Sequence, residues 1–214
     1  KPAEALKAVQ MLQSFIVRYM LSGEPLSPMR SMTMRMAEQL AGKPFSIKNL
    51  KAILISHGWA TDAKVLRTVK RVELYSYGGS TIAPILRGIE NGLAKRGAHP
   101  MPYGDKKDEY SIEHIFPQTS STAKDWIADI STWGESLVAM QERAHVLGNL
   151  TAVTNYDNRQ NARKRFKIKR GLIEKCAPLK LNSSVIKQEK WDSKVIDQRT
   201  ILLAQQALQK WPIG

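Results

Sequence analysis

The sequence predicts a mainly α-helical protein, with one small unit of two strands followed by a helix set into its second half. Three observations carry that prediction. Apolar residues recur at helical spacing through most of the chain. Two short stretches, "YSIEHI" (110–115) and "AHVLGNLTAVTN" (144–155), are instead apolar, β-branched and threonine-rich, as strands are. The second of these runs straight into a helical pattern that continues to Cys176.

The elements follow in order. Residues 3–22 repeat apolar positions at Leu6, Val9, Leu12, Ile16 and Met20, and Gly23 and Pro25 stop that helix. A second helix fits 28–42, because Pro28 suits a first turn and Gly42 suits an exit. Its methionines, Met29, Met32, Met34 and Met36, read as gap-filling core residues rather than a binding surface. A third helix runs from Ser46, a hydroxyl N-cap, to His57, with Gly58 as its stop. A fourth covers 61–73, and a fifth, "TIAPILRGIENGLAKRG", ends at Gly97. The stretch "GAHPMPYGDKKDEY" is rich in Pro, Gly and charge and reads as a linker. It divides the chain into a helical support region, 1–105, and a second domain, 106–214. Pro178 ends the helix that follows Asn155, and a last helix spans 192–211 with Asp192 as its cap.

Composition narrows the function. With 43% hydrophobic residues in a chain of 214 there is enough apolar mass for a real core. Lys and Arg number 33 against 19 acids, a net charge of +14, so the surface attracts polyanions: nucleic acid first, an anionic membrane second. No run is long and apolar enough to span a membrane, and no signal peptide opens the chain. The lone Cys176 excludes a disulfide framework and a cysteine-based zinc site, and points to a reducing cytoplasm. A chain that opens at Lys1, just before a helical pattern, reads as a fragment of a longer protein.

Phosphodiester cleavage needs a base to activate water, a divalent metal to steady the phosphate and the leaving oxygen, and cations for the rest of the backbone. His114 qualifies as the base, since imidazole titrates near neutral pH. Its neighbour Glu113 offers a hard oxygen for Mg²⁺, which uses one or two protein groups and keeps several waters. Adjacent residues on a strand point to opposite faces, so the two share a site only if the strand ends or bends there, and Pro117 fits such an end. Taken alone, a Glu-His pair is more often a surface coincidence. Asparagines downstream add weight: Asn149, Asn155, Asn158 and Asn161, whose amides both donate and accept. Asn149 opens the second strand at a Gly-Asn step, where it can tie down a loop, and the Asn158 carbonyl could complete a metal shell with Glu113; for any one of these asparagines taken alone, a turn or N-cap role is the commoner one. The following helix is basic, with Arg159, Arg163, Lys164, Arg165, Lys167, Lys169 and Arg170 as candidate phosphate contacts. Phe166 and Lys169 are three apart and share a face; Phe166 reads as core, and Lys169 as a partner for phosphate or for a structural carboxylate.

Together, "IEHIFPQ", "LGNLTAVTN" and "DNRQNARKRFKIK" resemble the HNH, or ββα-metal, nuclease motif. In detail they are similar to the C-terminal nuclease domain of GmrSD-type modification-dependent restriction enzymes and their antiphage relatives. That family's "IEHILPQ" and "LGNLTLL" blocks are followed by an Asn nine residues after the second block's Asn, then by an "F..K" signature eight residues on. Asn149, Asn158, Phe166 and Lys169 keep both spacings. "LQSFIVRYMLSGEPLSPM", "ILRGIENGLAK" and "KWDSKVIDQRTILLAQQALQKWP" extend the resemblance along the chain. It implies a mainly α fold around a small ββα-metal core. It also implies His114 as general base, Glu113 and Asn158 as ligands of Mg²⁺ or Mn²⁺, and Asn149 positioning His114 through the loop or the imidazole. His145 and Asn161 are accessory candidates. Arg163 departs from the pattern, standing where many relatives have Asn. The implied protein is a DNA-nicking or DNA-cleaving effector in restriction and antiviral defence. In its full length it would carry an N-terminal nucleotide-hydrolysing sensor, whose fingerprint this chain lacks. Two alternatives stand beside it: a DNA-binding or coupling module without catalysis, and a nuclease directed at RNA.

Overall fold

The computed structural model describes residues 2–42, 44–93, 101, 106, 109–118, 124–161, 164–176 and 179–214. Among these the protein is mainly helical, with one two-stranded antiparallel sheet. The helical half consists of α1 (Pro2–Leu21), α2 (Met29–Leu40), α3 (Ile47–Ser56), α4 (Asp62–Thr68) and α5 (Gly79–Leu93). The chain between α4 and α5 forms 3-10 turns at Val69–Arg71 and Leu74–Tyr77. Local chemistry sets several boundaries. Ser46 accepts from Asn49 N at 3.1 Å to open α3, and the positive φ angles of Gly23 (82°) and Gly58 (85°) follow the ends of α1 and α3.

α1 forms where the spacing predicts, but most of the residues that carry that spacing do not face the core. Leu6, Val9, Leu12 and Ile16 are exposed. Met11, Phe15 and Tyr19 instead pack against Met32 and Met36 of α2, Leu50 and Leu54 of α3, and Trp59. Val17, Met20 and Leu21 face a second cluster with α4 and α5. A helix that is apolar nearly all round has a period but no unique buried face. Of the four methionines, Met32 and Met36 fill the core, Met29 packs against it, and Met34 is exposed.

The second half contains β1 (Tyr110–His114), α6 (Lys124–Thr132), α7 (Leu137–Gln141), β2 (Leu150–Thr154), α8 (Asn155–Asn161), α9 (Phe166–Cys176), α10 (Ser183–Ile186) and α11 (Ser193–Lys210). β1 and β2 are antiparallel, in register from Tyr110 opposite Thr154 to His114 opposite Leu150. β2 passes into α8 without a loop because Thr154 caps it: its hydroxyl accepts from Asp157 N at 3.2 Å and donates to the Asp157 carboxylate. The helix predicted from Asn155 to Cys176 is two, with α8 ending at Asn161 and α9 starting at Phe166. Asp192 opens α11 as expected, accepting from Val195 N at 2.8 Å.

The strand predicted from 144 starts only at Leu150, because Leu147–Asn149 make a 3-10 turn pressed onto α11. Gly148 is what permits that approach. A Cβ there would lie 2.2 Å from Ile196 O and 2.8 Å from Thr200 N. Arg199, wholly buried, then holds the turn by donating to Gly148 O at 2.6 Å and Leu150 O at 2.7 Å. Burial lowers its pKa to about 9.

The linker between the two sequence halves lies largely outside the described residues. On either side of it the chain shares one hydrophobic cluster. Val17, Val65, Leu74, Ile82 and Leu86 pack with Leu147, Leu150, Leu203, Leu208 and Trp211. Another cluster packs Val153 of β2 with Ile115, Phe116, Trp126, Phe166, Trp191 and Ile196. Among the described residues no helix is long and apolar enough to cross a membrane.

Candidate active site

The "EH" pair lies at the end of β1, where the ladder still pairs His114 with Leu150. The strand therefore does not bend before it, and alternation sends the two side chains to opposite faces. Glu113 meets α9. Its Oε1 accepts from Lys169 Nζ at 2.6 Å, and the same ammonium donates to His114 O at 2.6 Å. Lys169 is wholly buried and Glu113 is 4% exposed. Burial pushes the Glu113 carboxyl above its ordinary range, opposed by the Lys169 charge. Burial likewise lowers the Lys169 ammonium, opposed by Glu113.

His114 lies on the other face, 4% exposed, with its ring edge-on to Tyr75 at 4.4 Å and to His145 at 5.3 Å. Tyr75 also stacks on His145, and its N–H donates to His145 O at 3.1 Å. Burial first, then His145 and Lys169, lower the His114 pKa to about 3, so the imidazole is neutral at pH 7. Gln118 Nε2 donates to His114 Nδ1 at 3.0 Å, which makes Nδ1 the acceptor nitrogen and puts the ring proton on Nε2. His114 Nε2 and His145 Nδ1 are buried without a hydrogen-bond partner among the described residues.

Asn149 is wholly buried and ties the loop after His114 to the rest of the fold. Its Oδ1 accepts from Phe116 N at 2.8 Å and from Trp191 Nε1 at 3.0 Å; its Nδ2 donates to Phe116 O at 2.9 Å and Ala144 O at 2.8 Å. Of the two partners open to it from sequence, the amide takes the loop. Asn158, on α8, donates through Nδ2 to Ser111 Oγ at 2.7 Å and Ile112 O at 3.0 Å, which pins α8 to β1 two residues before Glu113.

The basic helix divides. Arg159, Lys164 and Lys167 are exposed. Arg165 pairs with Asp129, and Arg170 donates to Gln188 O at 2.6 Å. Lys169 is turned inward, so its carboxylate partner, not phosphate, is the one it meets. Arg163 and the side chain of Asn161 lie outside the described residues.

Two hard oxygens on the α8–α9 side are not taken up by these bonds. Lys169 occupies Glu113 Oε1, which leaves Oε2, and the bonds of Asn158 Nδ2 leave its Oδ1. No group of three or more His, Cys, Asp or Glu side chains gathers as a metal cage among the described residues. Mg²⁺ needs no such cage, because it is held by one or two protein oxygens and water. The donor set therefore fits Mg²⁺ or Mn²⁺ in kind and does not fit zinc.

Sequence reasoning missed three residues. Gln118 stands in the quoted "IEHIFPQ" block, four positions after His114, and an amide so close to an imidazole was a usable signal. Trp191 stands in the quoted "KWDSKVIDQRT" block but has no site role there; Tyr75 reaches the site from a distant part of the chain, and no local pattern marks it.

Neither a curated protein nor a solved structure matches the chain. The family model for the C-terminal domain of GmrSD restriction endonucleases matches residues 59–206. That span takes in Tyr75, both strands, the Glu113–Lys169 pair and the Asn149 clamp, so the chain belongs to this family, the C-terminal domains of GmrSD restriction endonucleases.

Proposed function

We propose that the protein is a metal-dependent HNH endonuclease that nicks or cleaves DNA, built on a ββα-metal core of β1, β2 and α8. The observation that carries this reading is that one ββα unit holds all four residues at the end of β1, with Glu113 and Asn158 on the α8–α9 side and His114 on the opposite face, next to the loop that Asn149 holds. Asn149 clamps the loop that leaves His114, and Asn158 is bonded to the strand that presents Glu113. Glu113 and Asn158 would hold Mg²⁺ or Mn²⁺. A divalent ion there supplies Lewis-acid stabilisation of charge on the phosphate and the departing oxygen.

The chain's own residues do the rest. His114 enters neutral, with Nδ1 as the accepting nitrogen. Gln118 is exposed and can give way to water, which delivers a proton to Nδ1 as its oxygen attacks phosphorus in line, while the opposite P–O bond breaks and the departing oxygen takes a proton from solvent. An imidazole with so low a proton affinity accepts a proton only beside negative charge, and the substrate phosphate brings that charge. Lys164, Lys167 and Arg159 take neighbouring phosphates. In a restriction or antiphage system this chain would be the cytoplasmic effector, coupled to an N-terminal nucleotide-hydrolysing sensor.

The test is conversion of supercoiled plasmid to open circles with Mg²⁺ or Mn²⁺. His114→Ala lowers the rate by about 10²–10⁴, the usual contribution of a general base, with an unchanged circular dichroism spectrum. A variant that nicks as fast as the parent removes His114 from the mechanism. One observation favours the non-catalytic alternative: Glu113 is already neutralised by Lys169. Plasmid retention without nicking under every metal condition would select that reading.

A further inference from the structure

Lys169 has no place in the proposed chemistry, yet its ammonium is wholly buried at the centre of the site. It touches both members of the "EH" pair, the carboxylate of Glu113 and the carbonyl of His114, each at 2.6 Å. We propose that Lys169 is a built-in counter-cation: it neutralises and orients Glu113 in the metal-free protein and holds down that carboxylate's affinity for a divalent ion.

Geometry and charge carry this. A buried carboxylate without a cation is strongly disfavoured, and Lys169 is the ion-pair partner the structure gives Glu113. Metal is therefore not needed to keep the strand end folded. The second bond, to His114 O, fixes the backbone at the point where the chain leaves the ladder, so one ammonium positions both residues. The same contact sets a cost on metal binding. A divalent ion on the remaining carboxylate oxygen would stand a few ångströms from the ammonium. Repulsion between such charges, even at an effective dielectric of about 20, weakens binding by well over tenfold. Surface lysines such as Lys164 and Lys167 impose no comparable penalty, because water screens them.

This inference rests on Glu113 being a metal ligand, and the test separates the two. Mn²⁺ alone is titrated calorimetrically into the parent, Lys169→Gln, Lys169→Arg and the double variant Glu113→Gln/Lys169→Gln, with thermal melts in EDTA as the fold control. Gln keeps a donor for Glu113 and His114 O but removes the charge; Arg keeps the charge. The expected result is Mn²⁺ binding at least tenfold tighter in Lys169→Gln than in the parent, no tightening in Lys169→Arg, and none in the double variant. Equal affinity in the parent and Lys169→Gln overturns the counter-cation role alone. Tightening that survives in the double variant also overturns it, because the charge then acts elsewhere than through Glu113. No Mn²⁺ binding in any variant overturns the metal reading of Glu113 and this inference with it. If Lys169→Gln is unfolded in EDTA, cooperative melting must return with Mn²⁺; continued unfolding overturns the proposal.

Discussion

Replacing Asn149 by alanine tests how the loop after His114 is held. The side chain is wholly buried and makes four hydrogen bonds, two accepted from Phe116 N and Trp191 Nε1, and two donated to Phe116 O and Ala144 O. At about 1 kcal/mol net per bond the loss is about 4 kcal/mol, and counting instead the two stranded donors at about 1–3 kcal/mol each gives a similar figure. That is a large share of the 5–15 kcal/mol that holds most domains together. Urea unfolding followed by tryptophan fluorescence reads it directly, since Trp191 is one of the partners. Asn149→Asp sharpens the test. Aspartate keeps an acceptor for Phe116 N and Trp191 Nε1 but turns an oxygen toward two carbonyl oxygens. Burial there raises its folded-state pKa, so the deficit relative to the parent is greatest at neutral pH and shrinks as pH falls and the carboxyl regains a proton to donate. A deficit under about 1 kcal/mol for the alanine variant, or one independent of pH for the aspartate variant, would refute the clamp.

Three further outcomes follow from the structure. Gly148→Ala drives a methyl into Ile196 O and Thr200 N of α11, contacts that backbone cannot relieve, and should destabilise by about 3 kcal/mol in the same urea assay. His114, neutral in the fold down to about pH 3, opposes folding once the unfolded chain's imidazole protonates below its ordinary 6.5. Stability is therefore lost as pH falls through that window, by about 1.4 kcal/mol per unit from this group, and His114→Leu should flatten the slope of stability against pH. Lys164→Glu with Lys167→Glu should weaken DNA binding and reduce the slope of log affinity against log salt by about 2, measured by fluorescence anisotropy, if each side chain meets one phosphate.

The parts legible in the sequence are those that local chemistry decides. Ser46 and Asp192 cap the helices they were expected to cap, because an N-cap needs only its own next turn. That two strands are followed by helix is readable from local residue pattern, but not where the second strand starts, at Leu150, or that the helix is two. What was not legible depends on distant contact. The chain at 147–149 alternates like a strand but turns, because Gly148 meets α11. The exposed stripe on α1 has the period of a buried one, because α1 is apolar on several faces. Lys169 lies between these cases. Its three-residue spacing from Phe166 put both on one face, and once Phe166 is core its neighbour must be buried and must find an acid. Glu113 is that acid, but nothing local to Lys169 names it. Tyr75 was beyond reach, since its contact with His114 joins the two halves of the sequence across the linker.

That contact bears on whether the nuclease segment stands alone. If residues 106–214 formed an independent domain, removing the helical half would leave its core intact. The shared cluster predicts otherwise. Leu147, Leu150, Leu203 and Leu208 would each lose apolar partners from Val17, Val65, Leu74, Ile82 and Leu86, and Trp211 would lose its cover. At about 2 kcal/mol for each exposed leucine the loss is about 8 kcal/mol before Trp211 is counted, comparable to the whole stability of a typical domain. His114 would lose Tyr75 at the same time, opening one wall of the site. Expressed alone, 106–214 should show no cooperative thermal transition and poorly dispersed amide resonances. A sharp melt with native-like dispersion would mean that α11 and the Leu147–Asn149 turn repack without the helical half. The helices before the linker would then be an attachment to the nuclease rather than part of its core.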